Sequence, residues 1–244
     1  GPRVIEAALE LIRDQDEDVR RAAIEILNQT KDERAVAFLI EATRDKDWWV
    51  RERAVDALAE IGSQALATAE FLCGPITRVM GDCVTMIHER KDNKGNVRKI
   101  EVDDVGRAFI RFSNGATGSI EGNWIATGRK MQHDFEVYGT KGALAFSQEH
   151  FNVLHYFSTA DAKGRQGFRR IEAGPDHAPY GQFCVAAGHQ IGFNDLKAIE
   201  VAGFVNAIAG NAPEPFNFRK GYGIQKLVET IQTSSREQKW LDVK

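Results

Sequence analysis

An internal repeat constrains this chain more than any other feature. Residues 18–27 align with residues 49–58 at an offset of 31. Val19, Arg20, Ala23 and Leu27 recur as Val50, Arg51, Ala54 and Leu58. An acidic run precedes each copy, 14–18 and 45–47, as suits a helix start, where carboxylates meet free backbone N–H groups and the positive end of the helix dipole. Residues 32–42 carry apolar side chains at helical spacing between the copies, and 4–12 supply the matching helix of the first copy. A fixed period of this length implies stacked helical hairpins, each burying its face against the next.

The V-R-x-x-A pattern resembles the HEAT-like repeats of the phycobilin-lyase type over residues 3–62. Two such units do not bury their own faces, so a C-terminal element is expected to cover the second. The helix expected at 63–73 follows Gly62, which suits a helix C-cap, and falls where a third repeat would begin.

With 43% hydrophobic residues in 244, a packed core is expected. The net charge of −3 and the lack of a basic patch argue against nucleic acid, and no apolar run reaches the roughly 18 residues of a membrane span. Gly1-Pro2 reads as a remnant of tag removal, and no signal peptide is evident. Cys73, Cys83 and Cys184 are scattered and form no CxxC pair, which suits reduced thiols in a cytoplasmic protein.

After Gly74-Pro75 the pattern changes to strands and tight turns. Strands are expected at 78–90, 105–112, 116–124, 135–138, 143–146, 151–157 and 168–171, with turns at 92–96, 113–115 and 139–142. Helices at 195–209 and 219–234 and a short strand at 239–243 close the chain. Consecutive hairpins imply an antiparallel sheet. With helices on one face, its other face is left bare, so a homodimer through the open sheet face is expected.

Three segments carry a second resemblance: Phe109 to Glu121, Glu136 to Phe146, and the ending with Ile199, Glu200 and Phe204 followed by Gly221-Tyr222. Together they resemble the C-terminal domain of the glucose–fructose oxidoreductase/inositol dehydrogenase (Gfo/Idh/MocA) family over residues 63–244. The resemblance implies a large open sheet that shapes a sugar or polyol pocket and makes the oligomer interface. It also implies a separate Rossmann domain for NAD or NADP. No G-x-G-x-x-G after a strand and no βαβ unit is found here, so no cofactor is expected on this chain. Where the family has Asp-x-Gly-x-His-x-x-Asp, the resemblance places Glu60, Gln64 and Ala67. An amide at the His position has no proton to exchange near neutral pH, so no catalytic residue is assigned.

The fold class expected is therefore α+β in two parts. HEAT-type helical hairpins occupy residues 1–62, fused to a domain with a large open, mainly antiparallel sheet at 63–244, with helix 63–73 shared at the join. Such a join reads as a chimera, engineered or recombinational, acting as a scaffold without catalytic activity. The alternative is an NAD(P)-dependent sugar or polyol oxidoreductase, or a fragment of one needing a partner cofactor domain. The six histidines form no H-x-x-x-H and no cysteine pairing at metal spacing, so no metal is expected. By resemblance, His177, Tyr180, His189 and Asn194 lie on a vestigial substrate side. Arg129 and Lys130, after Gly128, read as surface charges.

Overall fold

The structure is a computed structural model that describes residues 2–30, 42, 62–91, 94–213 and 216–243. They divide into two compact units, one of residues 1–126 and 219–244, the other of residues 127–218.

The first unit opens with α1 (Pro2–Leu11) and α2 (Glu17–Thr30), which pack together as a hairpin. Ala8, Ile12, Ala23, Ile24 and Leu27 form its core with Ala42. The arginine of the V-R-x-x-A pattern has a structural task. Arg20 is buried, and its Nη1 donates to the carbonyl oxygens of Asp14 (2.8 Å) and Gln15 (3.0 Å). The acidic turn is thereby held from beneath, while Asp14 and Asp16 carboxylates accept the N–H groups of Asp16 and Asp18. The expected helix at 32–42, apart from Ala42, and the second copy at 49–58 lie outside the described residues. One hairpin is observed, and a HEAT-repeat N-terminus is not shown.

Beyond α3 (Ser63–Cys73) a four-stranded antiparallel sheet runs in the order β10-β1-β4-β5. Its strands are β1 (Ile76–Val84), β4 (Val105–Phe112), β5 (Thr117–Asn123) and β10 (Leu241–Asp242). The alternation along β4 buries Ala108, Ile110 and Phe112 and leaves Arg107, Phe109 and Arg111 outward. The buried face packs with Leu66 of α3 and with Ile224, Leu227, Val228 and Ile231 of the long closing helix α5 (Phe218–Glu237). Contact between α5 and β1 is made at the backbone. Gly81 N–H donates to Ser234 Oγ (2.9 Å) and Cys83 N–H to Ser235 Oγ (2.8 Å). On the outward face Arg107 pairs with Glu121 (2.7 Å), and Arg78 and Arg111 lie over the Trp240 ring.

A hairpin of β2 (Glu89–Lys91) and β3 (Val97–Lys99) stands beside this sheet. Its base is fixed by Asp104, a buried carboxylate whose Oδ2 accepts the N–H groups of Met86 and Ile87, both at 2.7 Å. Arg98 and Lys94 reach Asp18 (3.2 Å) and Glu17 (3.0 Å) at the start of α2.

The second unit holds another antiparallel sheet, β6-β7-β8-β9: β6 (Asp134–Tyr138), β7 (Gly142–Ser147), β8 (Val153–Ser158) and β9 (Arg169–Glu172). The helix α4 (Phe193–Ile208) follows. One large sheet was expected, and two of four strands are found. Residues 124–133 between β5 and β6 form no strand. Among the described residues no helix is long and apolar enough to cross a membrane.

Candidate functional site

The second unit contains an open cavity of about 390 Å³, lined by Gly128, Lys130, Met131, Gln148, Glu149, Phe151 and Phe193. Three separate segments meet there, and each is fixed by its own hydrogen bonds. Gly128 takes a left-handed turn (φ 95°) that starts the first wall. Glu149, in the short 3-10 turn Gln148–His150, then holds that wall with both oxygens. Oε1 accepts the Lys130 N–H (2.8 Å) and Oε2 accepts from Arg129 (3.2 Å). Gln148 N–H donates to the His133 carbonyl (3.2 Å), tying the same turn to the start of β6.

The third wall is the first turn of α4. Gly192 N–H donates to Asp195 Oδ2 (2.7 Å) and the Gly192 carbonyl accepts the Asp195 N–H (3.1 Å), which sets where the helix begins. Asn152 binds both polar atoms of Ile191, donating to its carbonyl (3.0 Å) and accepting from its N–H (3.1 Å). This double bond holds the chain before α4 beside the segment that carries Phe151. The outcome is a concave surface with two phenyl rings and a thioether as apolar walls, and an ammonium, a carboxamide and a carboxylate among them. Glu149 is neutralised by Arg129, whereas the Lys130 ammonium has no ion-pair partner among the described residues. Nearby, burial lowers the pKa of His133 below the usual 6.5, against the opposing pull of Asp134.

His177, Tyr180, His189 and Asn194, which the resemblance places on a substrate side, lie in the segment that leads into α4 and in its first turn. His177 is exposed and its Nδ1 accepts the Gly174 N–H (3.2 Å). Tyr180 is half-buried in the 3-10 turn Tyr180–Gln182, its carbonyl accepting from Phe183 and Cys184. His189 is exposed, its N–H donating to the Ala186 carbonyl (3.1 Å), and Asn194 is exposed in the first turn of α4, next to Phe193. None of the four lines the cavity. Gln64 is exposed and Ala67 half-buried on α3, in the other unit, and Glu60 lies outside the described residues. Lys130, read as a surface charge, lines the cavity, and Gln148, Glu149, Phe151 and Phe193 were not singled out in the sequence. A glycine–basic turn and an acidic residue 20 positions on, Arg129 and Glu149, were the available signal. Among the described residues no group of three or more His, Cys, Asp and Glu side chains is placed to hold a metal ion.

A dinucleotide needs a glycine-rich turn between a parallel strand and a helix N-terminus. Every ladder among the described residues is antiparallel, so these residues do not fit that cofactor.

Residues 25–145 match the model of the GFO/IDH/MocA C-terminal domain. That match runs through the join expected at residue 62. Levoglucosan dehydrogenase of Pseudarthrobacter phenanthrenivorans is 33% identical over 201 residues, covering 77% of this chain and 51% of its own length. An NAD-binding oxidoreductase from Klebsiella pneumoniae superposes with a TM-score of 0.73 at 33% identity, over 77% of this chain and 50% of its own. Levoglucosan dehydrogenase in complex with NADH and L-sorbose gives a TM-score of 0.74 at 32% identity, over 79% and 52%. The chain thus spans about half the length of the relatives it matches.

These findings correct the expectation drawn from the sequence. The chimera of HEAT repeats and an oxidoreductase domain, engineered and non-catalytic, gives way because the relatives are natural dehydrogenases. The expectation of no cofactor is likewise set against a relative solved with NADH. This chain carries a GFO/IDH/MocA C-terminal domain.

Proposed function

We propose that this chain is the sugar-binding half of a nicotinamide-dependent sugar oxidoreductase, with the cavity beside Phe151 and Phe193 receiving the sugar. The observation that carries this reading is the 33% identity to levoglucosan dehydrogenase over 77% of the chain. The cavity has matching chemistry. A sugar ring has an apolar C–H face and a rim of hydroxyls. Phenyl rings suit the first, and a few convergent polar groups such as Lys130 and Gln148 suit the second. These groups bind and orient. The nicotinamide, held elsewhere, would accept the hydride, since the described residues offer no seat for it.

Calorimetric titration of the chain with levoglucosan and with L-sorbose tests this. Saturable binding is expected, with Phe193→Ala weakening it about tenfold, the equivalent of roughly 1.4 kcal/mol. No heat from either sugar at millimolar concentration would refute the reading. The same reading includes a homodimer formed by the outward face of β10-β1-β4-β5, on which Phe109 is 64% exposed. Light scattering is expected to give a dimer and, for Phe109→Lys, a monomer. A monomeric parent chain would remove that interface.

A further inference from the structure

The cavity of the second unit carries one unbalanced positive charge. Glu149 is matched by Arg129 at 3.2 Å, and its other oxygen accepts the Lys130 N–H at 2.8 Å, so this carboxylate is committed to holding the wall. Lys130 lines the same space, and its ammonium has no ion-pair partner among the described residues. On the α4 wall the Lys197 ammonium lies 5.8 Å from the centroid of the Phe193 ring, but Glu200 takes its charge at 2.7 Å. Asp195, two residues beyond Phe193, uses its carboxylate within the first turn of α4, where it accepts the Gly192 N–H and faces the positive end of the helix dipole. Each of these charges is balanced locally except that of Lys130.

The hydrogen-bonding groups lean the same way. An ammonium has three donors and no acceptor, and the Gln148 carboxamide adds two donors and one acceptor. A sugar hydroxyl both donates and accepts, so a neutral ring brings donors that this rim has little to receive. A carboxylate only accepts, and a hydrogen bond between charged partners is shorter and roughly twice as strong as a neutral one.

We propose that the cavity selects a sugar ring bearing one carboxylate, a uronate, whose carboxylate is received by the Lys130 ammonium while the ring lies against Phe151 and Phe193. The proposal deepens, and rests on, the reading of the cavity as the sugar seat, and it makes Lys130 the residue that determines specificity. Charge selects the carboxylate over a phosphate ester, because one ammonium balances one negative charge and a phosphate ester carries about −1.5 to −2 at neutral pH. The apolar walls select a closed ring over an open-chain acid, which has no C–H face to lay on a phenyl ring. The cavity is open, so water and salt screen the pair and the preference is modest.

The test is calorimetric titration of the full chain with D-glucuronate and with D-glucose, which differ only in whether the last carbon is a carboxylate or an alcohol. At low salt glucuronate is expected to bind about fivefold more tightly. At about 1 M salt, where the screening length falls to about 3 Å, the two affinities should converge. Lys130→Arg keeps the charge and is expected to keep the preference, and Lys130→Gln is expected to abolish it. Equal affinities in the parent at low salt, or a preference that survives in Lys130→Gln, would overturn the proposal. Tighter binding of glucose 6-phosphate than of glucuronate would assign the rim to a phosphate ester and overturn it as well, as would displacement of glucuronate by acetate at equal concentration, which needs no sugar ring. The neutral-sugar titrations separate the two readings. Heat from levoglucosan or L-sorbose without a preference for glucuronate sinks only this inference. Glucuronate binding that depends on Lys130, with no heat from either neutral sugar, sinks the assignment of those sugars and leaves the charge selection standing.

Discussion

Replacing Gly81 with alanine probes the tightest contact in the first unit. A Cβ at this position would stand far inside the van der Waals radius of the Ile231 carbonyl oxygen and 2.9 Å from Ile231 Cγ2. The first of these is backbone, so it yields only if α5 moves. Displacing the helix separates Val79 from Ile231, both fully buried, and stretches the 2.9 Å bond from Gly81 N–H to Ser234 Oγ. Overpacking of a dense core costs about 1–3 kcal/mol. A buried N–H left without its acceptor adds about 1–3 kcal/mol. A loss of about 2–6 kcal/mol is therefore expected for G81A, against about 1–3 kcal/mol for Ser234→Ala, which removes the acceptor and leaves the packing in place. Urea denaturation followed through tryptophan fluorescence reads the first unit, to which all four tryptophans belong, Trp240 lying under Arg78 and Arg111. A G81A midpoint within error of the parent, or a larger loss for Ser234→Ala than for G81A, would show that helix and strand are not in backbone contact.

Three further outcomes are expected. Glu149→Ala releases Arg129 and Lys130 from the cavity wall, so levoglucosan binding should weaken roughly tenfold by calorimetry while the melting temperature stays close to the parent's. Asp104→Ala strands the backbone N–H groups of Met86 and Ile87 around a carboxylate 5% exposed, and should cost about 2–5 kcal/mol in urea denaturation. Burial lowers the His133 pKa, so below pH 6.5 the unfolded chain takes up a proton that the folded one resists. Stability from this group is present above 6.5 and lost as pH falls through the folded value, and His133→Gln should flatten the drop in melting temperature between pH 7.5 and 5.

Strands such as β4 were legible in sequence because one face is buried, so Ala108, Ile110 and Phe112 alternate with Arg107, Phe109 and Arg111. Turns were legible where chemistry demands them. Asn114 Oδ1 accepts the Ala116 N–H and Gly115 takes a left-handed φ of 87°, closing the β4–β5 hairpin. The helix hairpin α1–α2 was legible through its apolar spacing, and Arg20 shows what the arginine of the motif does. The cavity was not legible. Its walls come from residues near 130, 150 and 193, none of a type that stands out singly, and what joins them is spatial: Glu149 to the 129–130 turn, Asn152 to Ile191. The order of strands within each sheet was also hidden, because it depends on which strands lie side by side rather than on any strand's own pattern.

The two serines near the end of α5 have a consequence for solubility. Strand β10 pairs with β1 only at Arg78 and Val79, with Val243 N–H reaching the Thr77 carbonyl. Past that point the outer margin of β1 would present bare donors at Gly81 and Cys83, a template on which a foreign strand could add. Ser234 and Ser235 take those two donors with side-chain oxygens, so a helix finishes what a two-residue strand leaves open. The sheet is thereby closed to growth on that side without a further strand being spent on it. A chain lacking both hydroxyls should retain its sheet yet aggregate by edge-to-edge pairing.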